Sequence, residues 1–337
     1  YEIRLALYQD TEAIMAFIDA YWKKGHILAK DRELFEYEFV EGKNVHMVLA
    51  VERKTNSIQG IFGFSYCSHC EGKRDLWGSL WKINEQHDNI PFLGVELAKR
   101  VYALTGCRMC LGNGVNPKTA LPLRKRVLKD KTGKMEHYYC LNPSIKEYRV
   151  CKITEPQYLP FKGQDRLLEV IEFGSMEELT EVFDVGGEDA YPFKDAWYIE
   201  KRFFNHPYYK YHVFGLREET GIKAIVVCRV VGARGAQVLR IMDYIGEHQI
   251  FAETGRFWRQ KMEEAKYEYV DFYEFGMDSE ILVEAGFVCR KDVDANIIPN
   301  YFEPFLQENV DIWVSYQYDG TTFFKGDADQ DRPNTYV

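Results

Sequence analysis

Eight cysteines are scattered through the 337 residues, and four of them form two Cys-x-x-Cys pairs, Cys67/Cys70 and Cys107/Cys110. Four thiolates make the tetrahedral set of a structural zinc site. Here 36 residues separate the pairs, more than ordinary zinc-ribbon spacing. The second pair also falls in a stretch that reads as a strand, where alternate side chains face opposite ways. Reduced thiols in an apolar interior, with no metal, are the competing reading. Two other clusters carry proton acceptors: Glu85, His87 and Asp88 in one polar segment, and Asp243, Glu247 and His248 in another. A carboxylate beside an imidazole is equipment for general-base catalysis, and solvated loops have the same composition. The basic run Arg124-Lys125-Arg126, with Lys129 and Lys131, suits either phosphate contact or a solvated helix face. Asp327-Ala328-Asp329-Gln330-Asp331 spaces its oxygens like a calcium loop but lacks the Gly and the terminal Glu. It reads as a solvated, mobile tail, and Arg332 after it offers only charge toward a phosphate.

The elements that must hold these groups come in a repeated order. Residues 2–7 alternate as a strand, and residues 11–22 and 32–39 follow helical spacing. Residues 45–52 and 57–66 form a hairpin around Lys54-Thr55-Asn56, and residues 76–83 add a third strand. A loop then leads to an amphipathic helix at 94–104, a strand at 107–115, a helix at 118–128 and a strand at 138–141. Residues 153–165, broken by Pro156, Pro160 and Gly163, form a linker. The order then begins again. A strand at 167–173 is followed by a helix opened by Ser175 with Glu178, which has the form of a capping box. A helix at 195–204, strands at 211–217, 222–231 and 238–245, a helix at 251–265, a strand at 269–275 and a helix at 279–285 complete it. Strands at 312–318 and 321–325 flank Asp319-Gly320, a hairpin signal. Three consecutive strands in each half argue for antiparallel meanders. The expected fold is α+β, with two domains in tandem, each a mixed, mostly antiparallel sheet flanked by helices. Their expected bounds are 1–152 and 166–325, with an acidic tail at 326–337.

Bulk properties narrow the function. Apolar residues make up 46% and charged residues 28%, a globular composition of a length that suits two cores. Aromatics reach 15%, which fits wet clefts for sugars or nucleotides as well as filled strands. A net charge of −9 without a basic stripe argues against a nucleic-acid partner. No apolar stretch is long enough to span a membrane. The first residues show neither the basic start nor the apolar core of a signal peptide, so the cytoplasm is expected.

The segments Leu80-Trp81-Lys82-Ile83 and Phe92-Leu93-Gly94-Val95-Glu96-Leu97-Ala98-Lys99-Arg100 bracket a loop. With the element order, they resemble the fourth strand, pyrophosphate loop and third helix of the GNAT acyltransferase superfamily. Gly114-Val115-Asn116-Pro117-Lys118-Thr119-Ala120 resembles that family's fifth strand and fourth-helix entry, and Glu284-Ala285-Gly286-Phe287 the turn after that helix. The resemblance covers most of both halves. It implies acetyl-CoA as co-substrate, bound in the first half by Trp81, Lys82, Ile83, Phe92, Leu93, Gly94, Asn116 and Lys118. A pyrophosphate can rest on the free N–H groups of a helix start, and Gly94 lets the backbone approach it. The second-half loop, Gly246-Glu247-His248-Gln249, has no second glycine and carries Glu247, so it is the poorer cradle.

The resemblance also implies direct attack of an amine on the thioester. Candidate bases are His248 paired with Glu247, Asp243 on the same strand, and Glu85, with His87 and Asp88 beside it. The family's usual Tyr on the fourth helix is replaced, with Arg124 at that place in the first half. The resemblance extends to enzymes that acylate nucleotide-linked amino sugars for bacterial surface polysaccharides, working as monomer or homodimer. Two alternatives stay open: FemAB-like aminoacyl transfer, and a degenerate, non-catalytic GNAT pair that binds a ligand.

Overall fold

The computed structural model describes residues 1–162, 168–187 and 190–334. Two compact units share the chain: residues 1–133, 313–319 and from 328 onward form unit 1, and residues 134–312 and 320–327 form unit 2.

Unit 1 is built on β1 (Glu2–Leu7), α1 (Thr11–Phe17), α2 (Arg32–Phe39), β2 (Asn44–Glu52), β3 (Ser57–Tyr66), β4 (Asp75–Ile83), α3 (Leu93–Thr105) and β5 (Met109–Asn113). A short helix, α4 (Ala120–Leu123), winds on to Leu128. Local chemistry sets several bounds. Asp31 accepts the amide of Leu34 and so caps α2. Asn56 turns the β2–β3 hairpin at φ 53°, a conformation Asn tolerates better than most residues. In β2, Val45, Met47, Leu49 and Val51 pack with α1 and α2, while Val48 and Ala50 pack with α3. Both faces of this sheet are therefore covered, which accounts for the near-continuous apolar run.

Unit 2 holds β7 (Glu136–Leu141), β8 (Glu169–Phe173), α5 (Met176–Thr180), α6 (Ala196–Ile199), β9 (His212–Glu218), β10 (Gly221–Ala233), β11 (Ala236–Gly246), α7 (Gly255–Ala265), β12 (Tyr269–Phe275) and α8 (Ser279–Glu284), with β6 (Lys131–Lys134) lying just before it. Ser175 accepts the amide of Glu178 as expected. The start of the strand expected at 167 lies outside the described residues, as do parts of the expected linker.

The structure departs from the sequence reading in three places. β7, expected to close the first half, pairs with β12 in unit 2. The Asp319-Gly320 turn joins no hairpin: β13 (Trp313–Tyr316) pairs with β5 in unit 1, while β14 (Phe323–Phe324) pairs with β12 in unit 2. Within the described part of the tail, expected in solvent, Asp327, Asp331 and Arg332 are all buried. In each case partners far away in sequence override a local signal.

Candidate functional site

In unit 1, β4 and β5 run parallel and pair only over residues 75–78 with 109–112. β4 then continues to Ile83, held on its other edge by β3. There Phe64 faces Gly78 and Phe62 faces Trp81, so the single residue Gly63 is spanned by two, Ser79 and Leu80. This β-bulge re-aims backbone groups where the two parallel strands part. Gly78 and Gly112 form the last parallel pair, and both are pressed from below. A Cβ at Gly78 would meet an Arg124 nitrogen at 2.6 Å, and one at Gly112 would meet Ser315 Oγ at 2.7 Å.

Five of the expected donor-site residues are placed around the start of α3. The Trp81 indole N–H donates to the Gly94 carbonyl at 2.8 Å, and a Cβ on Gly94 would sit 3.3 Å from that nitrogen and 3.7 Å from Ile83. Phe92 precedes the helix at φ 62° and is 74% exposed, while Leu93 is buried. Lys82 pairs with Glu85 at 2.7 Å on the surface. Asn116 and Lys118 lie past the end of β5, on the other arm of the divergence. Asn116 Oδ1 accepts the amides of Lys118 and Thr119, so it shapes that turn.

Tail residues that the sequence reading leaves in solvent stand at the bulge, together with Ser79, which it does not single out. Ser79 Oγ donates to Asp329 at 3.2 Å, and Gln330 Nε2 donates to the Asn113 carbonyl at 3.3 Å. Arg332 forks onto Glu38 at 2.7 and 2.5 Å and reaches Asp329 at 3.3 Å. The tail thus bridges the two diverging strands. Burial, helped by Arg332, lowers the pKa of His26 to about 4. Its neutral Nδ1 accepts the Leu28 amide. No local pattern announces this cluster, because 250 or more positions separate Asp329 from Ser79 and Arg332 from Glu38.

Arg124 is buried and committed. It donates to the Cys110 carbonyl at 3.1 Å and to Asp130 at 3.0 Å. Cys67, Cys107 and Cys110 are buried and Cys70 is exposed, all four as free thiols. Burial pushes Cys110 up to about 12. Among the described residues, no group of three or more His, Cys, Asp or Glu side chains could hold a metal ion.

Unit 2 has the same divergence with a different filling. β11 and β12 pair in parallel over residues 239–241 with 270–272, and β11 bulges at Met242, since Val227 faces Asp243 and Cys228 faces Ile241. The chain's own residues 323–327 enter the gap. β14 pairs antiparallel with β12, and the Gly326 amide donates to the Met242 carbonyl at 2.5 Å. Both strands of this divergence therefore carry contacts from the chain's own residues 323–326.

The second-half base candidates are dispersed by this arrangement. Asp243 is fully buried and holds Lys194 Nζ at 2.6 and 2.8 Å, with Asp327 2.6 Å from the same ammonium. Burial and Asp243 push Asp327 up to about 7, against the pull of Lys194. Burial works against the Lys194 ammonium, but the two carboxylates outweigh it and raise its pKa. Glu247 points to Lys223 at 3.0 Å, and the His248 ring packs edge-on against Tyr244. Burial lowers the His248 pKa. No hydrogen bond joins Glu247 to His248. In unit 1, Glu85 is spent on Lys82, and His87 lies 3.3 Å from Glu52.

No protein-family model matches the sequence. No curated protein matches it either. Solved structures do resemble it. A conserved Enterococcus faecalis V583 protein of unknown function, named a probable N-acyltransferase, superposes with a TM-score of 0.55 at 9% identity, over 93% of this chain and 71% of that one. A GCN5-related N-acetyltransferase from Kribbella flavida gives 0.53 at 9% identity, over 94% and 70%. Another from Anabaena variabilis gives 0.52 at 9% identity, over 93% and 72%. The chain therefore has the α+β fold of these GNAT structures across nearly its whole length. No helix among the described residues is long and apolar enough to cross a membrane.

Proposed function

We propose that this chain is a GNAT-type N-acyltransferase that moves the acyl group of acetyl-CoA to a primary amine, with the donor held in unit 1. The observation that carries this is the bulged divergence at Ser79–Leu80, left without an inserted strand among the described residues, beside the Trp81–Gly94 junction. Unit 2 has the same divergence closed by Gly326 and β14, so it supports the fold without a donor site of its own.

In this reading the pantetheine arm pairs with the free edge of residues 79–83, as a peptide adds to a sheet. The pyrophosphate lies at the start of α3, where N–H groups and the helix dipole favour an anion. The amine nitrogen bonds to the thioester carbonyl carbon, the C–S bond breaks, and the sulfur leaves with the electron pair. Backbone N–H groups at the bulge stabilise the oxyanion that forms on the way. Asp329, hydrogen-bonded to the bulge through Ser79, takes the amine proton. The thiolate needs no dedicated acid, because a free thiol has a pKa near 8.5. A nucleotide-linked amino sugar, as in surface-polysaccharide pathways, is the acceptor class that the family resemblance adds.

The test is release of free thiol from acetyl-CoA in the presence of a panel of primary amines that includes amino sugars and their nucleotide derivatives. Amine-dependent thiol release that Asp329→Asn suppresses supports the proposal. No release with any amine, from protein that binds acetyl-CoA, contradicts it.

A further inference from the structure

A second polar cleft lies in unit 2, at the far end of β11 from Gly246. Its volume is about 570 Å³, within the range of small-ligand sites. Four cations line it: Lys146, Arg149, Lys152 and Arg234, against the one carboxylate of Glu147. None of the four makes an ion pair with another described residue. The four sit together in a chain of net charge −9, where acids outnumber bases.

The walls are built rather than loose. Buried Glu268 accepts the amides of Arg149 and Val150 at 2.6 and 2.9 Å. Lys152 exchanges backbone hydrogen bonds with Ile297, and the Val150 carbonyl accepts Gln307 Nε2 at 2.9 Å. The segment is fixed, so Arg149 and Lys152 present charge from a rigid backbone. On the facing wall Arg234 sits at φ 52° in the β10–β11 turn, its guanidinium 5.1 Å from the Phe305 ring centre and 3.2 Å from Gln307 Oε1. All four cationic side chains are exposed, and of them Arg234 is held in place by its contacts to Gln307 and Phe305.

We infer that this cleft binds the pyrophosphate group of a small molecule. Four cations around one cleft match an anion of two or more charges, and guanidinium forks suit phosphate oxygens. The acidic remainder of the chain disfavours a long polyanion, which needs a continuous basic track. The site is separate from the proposed donor site, and its presence does not depend on acyl transfer.

Calorimetric titration with inorganic pyrophosphate, UDP, coenzyme A and a single-stranded oligonucleotide tests the inference. The comparison is Arg149→Glu/Lys152→Glu against Lys23→Glu/Lys24→Glu, two exposed unit 1 lysines whose reversal changes net charge equally. The inference predicts saturable binding of pyrophosphate and UDP that weakens at least about tenfold in the cleft double variant and less than about twofold in the control. Displacement of pyrophosphate by UDP supports the inference, and coenzyme A, whose pyrophosphate is assigned to the start of α3, should displace neither. Arg234→Ala, which leaves the backbone walls intact, should weaken pyrophosphate severalfold if the double variant unfolds. No saturable pyrophosphate binding up to about 5 mM, equal losses in both double variants, or preference for the oligonucleotide would overturn it.

Discussion

The Gly326 amide donates to the Met242 carbonyl at 2.5 Å, closing in unit 2 the divergence that unit 1 keeps at Ser79. The same bulge thus has two uses in one chain. In unit 2 it anchors a strand, and in unit 1 it faces the Asp329 carboxylate.

A side chain at residue 326 has no room, since its Cβ would lie 2.7 Å from the Met242 carbonyl oxygen. Gly326→Val should destabilise unit 2 by on the order of 2–3 kcal/mol. Chemical denaturation would show it as a lower midpoint. Acetyl-CoA affinity in the still-folded protein should not change, because the donor site is assigned to unit 1.

Lys194 neutralises two buried carboxylates. Lys194→Met removes the ammonium shared by Asp243 and Asp327, at a cost of about 3–5 kcal/mol near neutral pH. Adding Asp243→Asn and Asp327→Asn to that variant should recover part of the loss. Unchanged stability in the single variant would mean that the triad carries no net interaction.

His137 donates to Asp271 at 2.8 Å and stacks on Tyr273 at 3.7 Å, fully buried. Burial lowers its pKa to about 4, against the pull of Asp271. A depressed folded pKa contributes stability above the unfolded value near 6.5 and loses it as pH falls toward 4. The loss should reach roughly 3 kcal/mol over that window. In His137→Gln, urea midpoints measured from pH 7.5 down to pH 4.5 should fall less steeply than in the wild type.

Ser79→Ala removes the donor to Asp329 without adding bulk. If Asp329 is the base, kcat should fall by roughly tenfold while the KM for acetyl-CoA stays within about twofold. A loss confined to the KM for the donor would assign the tail to binding instead.

Much of the secondary structure was legible because its signals are local. The Asn56 turn and Ser175 mark element bounds through local contacts, and helix α2 and strand β3 fall on the expected residues. Sheet membership was not legible for 136–141 or 313–316, since their composition suits any strand and only remote pairing assigns them. The donor corner was partly legible, because Gly94 and Trp81 lie 13 positions apart around one loop. The bulge depends on register across β3, which spacing does not encode. The tail looked solvated because its ion-pair partners, Lys194 and Glu38, lie more than 130 residues away.

The most direct measurement is calorimetric titration of acetyl-CoA into the wild-type protein, Gly94→Glu and Gly246→Glu, each checked for cooperative unfolding. Gly94→Glu places an anion beside Trp81 at the start of α3, whereas Gly246 belongs to the closed unit. The account predicts about one donor per chain, lost in Gly94→Glu and kept in folded Gly246→Glu. Binding that survives Gly94→Glu, or that is lost only in folded Gly246→Glu, would contradict a donor site in unit 1.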